Sequence, residues 1–187
     1  MRRFRTRADR PDGDLVARVL RGEAASYEVL VRRHQAPLYR QARGMGLDPD
    51  TAEDMVQETF VSAYAGLAGC RDPNRFRAWV FRILRNRCLD HLRDVRRRDV
   101  PLEWAAPHGG AEPADEPRFG LRHELTDSLQ RLSPLLREAF LLKHEGGYTY
   151  DEVAEITDAS PSAVKMRVQR ARDELRALLE SRPARAM

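Results

Sequence analysis

Residues 149–180 read TYDEVAEITDASPSAVKMRVQRARDELRALLE, and the fold follows from how this stretch divides. Thr149 followed by Glu152 is a capping box, the reciprocal cap that opens a helix. That helix runs to about Ile156. Ile156-Thr157-Asp158-Ala159 then makes a tight turn. Ser160 caps a longer helix, with Pro161 at its first position. A short helix, a turn of a few residues and a longer second helix make the helix-turn-helix pattern.

The second helix has distinct faces. Val164, Val168, Ala171, Leu175 and Leu178 are spaced 4, 3, 4 and 3, one apolar stripe turned toward its own domain. At 100° per residue, Ser162, Met166 and Gln169 fall opposite, and Lys165, Arg167 and Arg170 flank the stripe. A dry back, base-reading side chains near the N-terminus and cations at the edges suit a helix that enters a DNA groove. Its free N–H groups also favour phosphate. An ordinary amphipathic helix pair explains the stripe alone; caps, turn length and charge together favour DNA reading. Met166 is open to two readings. It contacts a thymine methyl, or it is a singly exposed methionine of no consequence.

Working outward, the chain has 187 residues, which favours one or two small domains. Residues 99–120 read DVPLEWAAPHGGAEPADEPRFG; four prolines and Gly109-Gly110 make a poor helix or strand. This is an acidic linker. It divides the chain into a basic extension at 1–13, a helical half at 14–98, a second at 121–182, and a tail at 183–187. Neither half shows period-two strand patterning. Asp14 is placed to cap LVARVLR, which Gly22 ends. A second segment runs from about Ala24 to His34, before Pro37. Asp48-Pro49 and Ser133-Pro134 repeat the cap-then-proline device. The expectation is all-α, with four or five helices before the linker and four after it.

The formal net charge is only +4, but it is unevenly placed. Residues 1–13 carry +3, 48–58 carry −5, 71–98 carry +7, 99–120 carry −4 and 165–187 carry +4. Alternating blocks suit an anionic polymer at the basic places and another partner at the acidic one; solvated helix faces are the plainer account. Of 33 basic residues, only Lys143 and Lys165 are lysine. Two cysteines exclude a disulfide-rich scaffold, and Cys70 and Cys88 read as small buried hydrophobes. The N-terminus is basic but lacks the apolar core of a secretory signal. No apolar run approaches the roughly 20 residues that span a bilayer. No membrane insertion is expected, and the default compartment is the cytoplasm.

Within DPDTAEDMVQETFVSAYAGL (48–67), Ala52, Val56, Phe60, Ala63 and Leu67 make an apolar face. Asp54, Gln57, Glu58 and Val61 project on the other side. Such a face repels DNA and suits a basic protein surface. Asp54 and Glu58 are also spaced like a carboxylate metal pair, but no third ligand completes a site. Next, FRAWVFRILRNRCLDHLRD (76–94) places Phe76, Trp79, Val80, Ile83 and Leu84 on an apolar arc. Arg75, Arg82, Asn86 and Arg93 lie elsewhere, with Arg85 nearby. Aromatics among arginines can stack bases while the cations hold phosphates; Phe76 and Trp79 also read as core. The preceding loop, GLAGCRDPNR (66–75), is polar and rich in turn residues.

AEDMVQETFVSAY, FRAWVFRILRNRCLDHLR and TYDEVAEI…SAVKMRVQRARDEL, in this order around a linker, resemble a bacterial group IV (extracytoplasmic function, ECF) sigma factor of the sigma-70 family. The resemblance covers about residues 14–182. It implies two all-helical domains, sigma region 2 and a region 4 helix-turn-helix. Such proteins bind RNA polymerase core and direct it to promoters through −35 and −10 elements. By this resemblance Asp54, Gln57, Glu58 and Val61 meet the clamp of the largest catalytic subunit. Arg71, Asn74, Arg75, Phe76, Trp79, Arg82, Arg85, Asn86 and Arg93 meet the −10 element, and residues 70–76 hold a flipped base. Ser160, Ser162, Lys165, Met166, Arg167, Gln169 and Arg170 meet the −35 major groove. The implied partners are the polymerase clamp and flap, promoter DNA and, as a candidate, an anti-sigma factor. The pattern often has glycine where Asp158 stands and small hydroxyls where Ala163 and Met166 stand, so the −35 preference does not carry over.

No GxSxG, HExxH, P-loop or CxxC motif occurs, and the five histidines lack zinc spacing. The expectation is a non-enzyme with no cofactor and no metal. The alternative is a helix-turn-helix regulator that binds operators without joining polymerase. It leaves the acidic face of 48–67 unexplained.

Overall fold

The computed structural model describes residues 10–98, 125 and 127–180. The proposed linker, the tail at 183–187 and residues 1–9 of the basic extension lie outside the described residues. Of those described, 10–42 and 50–98 form one compact unit, and 43–49, 125 and 127–180 form another. The described residues are helical, without strands.

In the first unit, α1 spans Asp12–Leu20, α2 Ala25–Gly44, α3 Pro49–Ala65 and α4 Phe76–Arg98. Two 3₁₀ turns, Leu67–Gly69 and Pro73–Arg75, join α3 to α4. Helix α1 starts earlier than expected. Pro11 stands at its N-cap, and Asp14 lies in the first turn, ion-paired with Arg10 at 2.8 Å and Arg18 at 3.5 Å. Asp14 therefore supports the positive end of the helix dipole instead of capping it. The chain leaves α1 through Gly22, whose φ of +97° is open to glycine at little cost.

Helix α2 corrects a second expectation, because Pro37 lies inside it. An internal proline costs about 3 kcal/mol. The buried positions Leu30, His34, Leu38, Gln41 and Ala42 straddle it, however. Burying one leucine returns about 1.5–3 kcal/mol, so the continuous stripe outweighs the break. Tyr27 of α2 then ties on α3: its hydroxyl donates to the Phe60 carbonyl at 2.6 Å, and its ring meets the edge of Tyr64 with centroids 4.9 Å apart. Burial raises the Tyr27 pKa and keeps the phenol neutral.

Helix α3 buries Ala52, Val56, Phe60 and Ala63, the face read from its spacing. Helix α4 buries Phe76, Val80, Leu84 and Cys88, each 0% exposed. One residue in four is the repeat that keeps a helix face against its neighbours. Cys70 and Cys88 are free and buried.

In the second unit, residues 127–131 are helical; α5 spans Pro134–His144, α6 Tyr150–Thr157 and α7 Pro161–Glu180. Leu132, Ala171 and Leu175 form a core cluster with Leu129, Leu136 and Phe140 packed on it. Buried Arg137 donates to the carbonyls of Gln130 and Leu132 at 3.2 and 3.3 Å, binding the end of the 127–131 segment to α5. The capping box forms: Thr149 N–H donates to Glu152 at 2.8 Å, and Glu152 N–H to the Thr149 hydroxyl at 3.2 Å. Asp158 ends α6 with φ 51° and ψ 49°. This is the left-handed turn where glycine is commoner and aspartate is tolerated.

The tie between α1 and α2 is ionic and largely buried. The Asp12 carboxylate accepts from Arg33 and lies 2.7 Å from His34 Nε2. Burial pushes the Asp12 pKa up, but the hydrogen bonds and charges of His34 and Arg33 together outweigh it, and the net direction is down. A depressed carboxylate contributes stability above its unfolded value, about 3.9, and loses it as pH falls through the folded value. Asp12→Asn is therefore expected to lose about 2 kcal/mol at pH 7. In urea titrations the gap to the parent should narrow below about pH 4. A gap of constant size from pH 7 to pH 3 would contradict this.

Candidate nucleic-acid interface

Three surfaces gather the candidate residues, each within one unit. On α7 the apolar stripe is inside: Val164, Val168, Ala171 and Leu175 are all buried. Ser160, Ser162, Lys165, Met166, Gln169 and Arg170 are exposed, and Arg167 is half-buried. Met166 exposes 55% of its surface, a large apolar side chain opposite its own core. The Ser160 hydroxyl accepts from Ala163 N–H at 3.2 Å and lies 3.0 Å from that of Ser162. Both hydroxyls therefore stand at the positive end of the helix dipole. The Gln169 amide donates to Asp173 at 3.1 Å, so it must exchange that partner to meet a base.

The chain's two lysines converge on one ring that sequence reasoning missed. Lys143 Nζ lies 4.7 Å and Lys165 Nζ 5.7 Å from the centre of Tyr150. Both are within cation–π range. Lys143 also donates to the Tyr148 carbonyl at 3.0 Å. Lysines on two different helices give no periodic signal; the only hint was lysine in a chain otherwise built on arginine.

A groove of about 760 Å³ lies in the same unit, lined by Phe140, His144, Arg172, Leu175, Arg176 and Leu179 among others. Burial, then Arg172 and Lys143, lower the His144 pKa, so its ring is neutral at pH 7.

The second surface belongs to α3. Asp54, Gln57, Glu58 and Val61 are all exposed, Val61 at 71%. Tyr64 continues the apolar part at 51%. Glu58 is ion-paired to Arg87 of α4, which also donates to Ser62 at 2.5 Å. One carboxylate of the acidic face is thus partly neutralised from within. Beside it runs a groove of about 590 Å³, to which Val31, Gln35 and Tyr39 of α2 and Glu53, Gln57 and Phe60 of α3 contribute. Sequence reading named Gln57 and Phe60 on the faces of α3 but neither a groove nor its α2 wall. The α2 residues become neighbours of α3 only once the helices pack.

The third surface is the loop before α4 and the polar side of α4. The Asp72 carboxylate caps the 3₁₀ turn, accepting from Asn74 N–H at 3.0 Å. Arg71, Asn74 and Arg75 are exposed. On α4, Arg82, Asn86 and Arg93 are exposed, Arg85 is half-buried, and Arg93 pairs with Asp90 at 2.9 Å. Phe76 requires a correction. It is 0% exposed, its ring 5.6 Å from His34 and 5.9 Å from Trp79. It is a core residue at the end of the loop, with no surface open to a base in this structure. Trp79 is half-buried, so only part of its surface faces outward. Among the described residues, no three His, Cys, Asp or Glu side chains gather as a metal site, and no helix is long and apolar enough to cross a membrane.

Comparison with known proteins finds matches to both halves of the chain. The family model for sigma-70 region 2 matches residues 30–98, and that for sigma-70, region 4 matches residues 122–175. The RNA polymerase sigma factor CnrH of Cupriavidus metallidurans is 35% identical over 91% of this chain and 95% of its own. Its structure, solved in complex with the cytosolic domain of CnrY, gives a TM-score of 0.73 at 31% identity, covering 93% of this chain and 100% of that one. The ECF RNA polymerase sigma factor SigM of Mycobacterium tuberculosis is 30% identical over 94% of this chain and 88% of its own. The sigma factor RpoE of Bartonella quintana, solved with the anti-sigma factor NepR, gives a TM-score of 0.67 at 27% identity, covering 84% of this chain and 98% of that one. The chain belongs to the ECF (group IV) sigma factors of the sigma-70 family.

Proposed function

We propose that this protein is a transcription initiation factor that joins RNA polymerase core and works by binding alone. The observation that carries this reading is the pairing, on one unit, of an acidic and apolar α3 face with an arginine-bearing loop and helix. A regulator that only binds operators has no use for the first. The α3 face, through Asp54, Gln57, Glu58 and Val61, would grip the clamp of the largest catalytic subunit. The α5–α7 groove would take the flap.

Promoter opening then follows from affinity differences. Ser160, Ser162, Lys165, Met166, Arg167, Gln169 and Arg170 hold the −35 duplex. Arg71, Asn74, Arg75, Trp79, Arg82, Arg85, Asn86 and Arg93 capture bases of the −10 strand that have left the stack. Unstacking costs a few kcal/mol, which a pocket and stacking must return. Two weak contacts on one polymerase reinforce each other through effective concentration. An anti-sigma factor is a fitting regulator, since RpoE is solved with one. The cytoplasm, where the polymerase works, is the matching compartment.

Asp54→Arg places a like charge before a basic partner and should weaken core binding by about tenfold or more with folding intact. Unchanged core affinity, measured by titration of labelled protein, would remove α3 from the interface. Lys165→Ala should reduce the slope of log affinity against log salt by about one unit in holoenzyme–promoter binding. An unaltered slope removes it from the phosphate contacts. Met166→Ser should change preference at one −35 position in run-off transcription from a base-substituted promoter set. An identical base profile refutes the methyl contact.

A further inference from the structure

We propose that Gly13, on α1, is a positioning residue for Asn74 and so for −10 recognition. The inference rests on the reading that the loop before α4 meets the −10 strand. Glycine is a poor helix former, and its place in the first turn of α1 asks for a reason. The reason is a close approach. A Cβ placed on Gly13 would stand 2.3 Å from Asn74 Oδ1, 3.1 Å from its Cγ and 3.3 Å from its backbone nitrogen. The Asn74 carboxamide thus occupies the space that any other residue at position 13 would need.

The same stretch of α1 secures the loop from a second side. Asp12, the neighbour of Gly13, holds His34, and the His34 ring packs against Phe76 at the loop's end. Between these points Asp72 holds the Asn74 backbone at 3.0 Å. Phe76 and Gly13 are buried, whereas Asn74 is exposed. The loop therefore has a fixed back and an open front, and Gly13 is the part of the back that touches the exposed amide.

A methyl at position 13 meets mainly the far end of a flexible side chain. It should therefore redirect the Asn74 amide without unfolding α1, where alanine is the better helix former. A purely structural role for Gly13 predicts a change in stability; a positioning role predicts a change in base preference.

The test uses the full chain with core polymerase and four proteins: parent, Gly13→Ala, Asn74→Ala and the double variant. Melting temperature, core affinity and run-off transcription from templates carrying each base at each −10 position are measured. Gly13→Ala should keep core affinity within about twofold. Its discrimination at one −10 position should fall by roughly tenfold. Added to Asn74→Ala, it should change nothing further, because the side chain it redirects is gone. An unchanged base profile, two losses that simply multiply, or a loss uniform across all templates that tracks a lower melting temperature would overturn the proposal. If Asn74→Ala alone leaves the profile unchanged, the assignment of the loop fails and the proposal with it. If Asn74→Ala alters the profile while Gly13→Ala does not, only the role of Gly13 is rejected.

Discussion

The buried stripe of α4 is the constraint on which the first unit depends. Phe76, Val80, Leu84 and Cys88 recur every fourth residue and are completely enclosed. Their burial fixes the rotation of the helix about its axis. Arg82 and Asn86 then face solvent because the repeat leaves them no inward direction. Phe76 is also the first residue of α4, so the same packing fixes where the preceding loop ends. The arginines need no separate device to aim them; the core does it.

Electrostatics acts on top of that geometry. The acidic residues of 50–58 and the +7 block at 71–98 belong to the same unit, and the Glu58–Arg87 bridge joins them. An exposed pair of this kind contributes about 0–1 kcal/mol, too little to organise the fold. Its effect is on the surface potential, since it softens the boundary between the acidic and basic faces. Arginine's planar, delocalised charge would suit phosphate and stacking together. The two lysines break the rule where both cations lie over a tyrosine ring, Tyr150.

Much of this was legible in the sequence, for identifiable reasons. The helix-turn-helix could be read because its signals are local: a cap at Thr149, a turn at Asp158, a stripe from Val164 to Leu175. The α3 face followed from spacing alone; on α4 spacing found Phe76, Val80 and Leu84, but Trp79 and Ile83 of the same arc are only half-buried and buried Phe81 was missed. Legibility failed where tertiary packing overrules a local rule. Pro37 ends a helix by its own chemistry, yet burial on both sides carries α2 through it. Phe76 looked like a stacking platform among arginines, yet one more turn of apolar repeat claims it for the core. The α2 wall of the groove and the Lys143–Tyr150–Lys165 group were invisible because contacts between helices leave no period in the chain. Gly13 passed without comment for the same reason: a glycine's purpose lies in what approaches it.

The two units carry different kinds of rigidity, and this bears on how each would act. On α7 the side chains proposed to meet DNA stand on a helix of 20 residues whose back is buried from Val164 to Leu175, and a regular helix is a precise mount. The backbone bonds of the loop before α4 are those of short 3₁₀ turns, such as Arg75 N–H to the Asp72 carbonyl at 2.9 Å. The loop is otherwise held at points: the Asp72 cap, the Cys70 thiol 3.4 Å from the Asp72 carbonyl, the Gly13 contact and the Phe76 anchor. A helix suits duplex DNA, whose groove is already formed. A loop fixed at its back and open at its front suits a base that must leave the stack before it can be held, since the front can accept what the back does not need to move for. The division between helix and loop thus matches the difference between reading a duplex and trapping a strand.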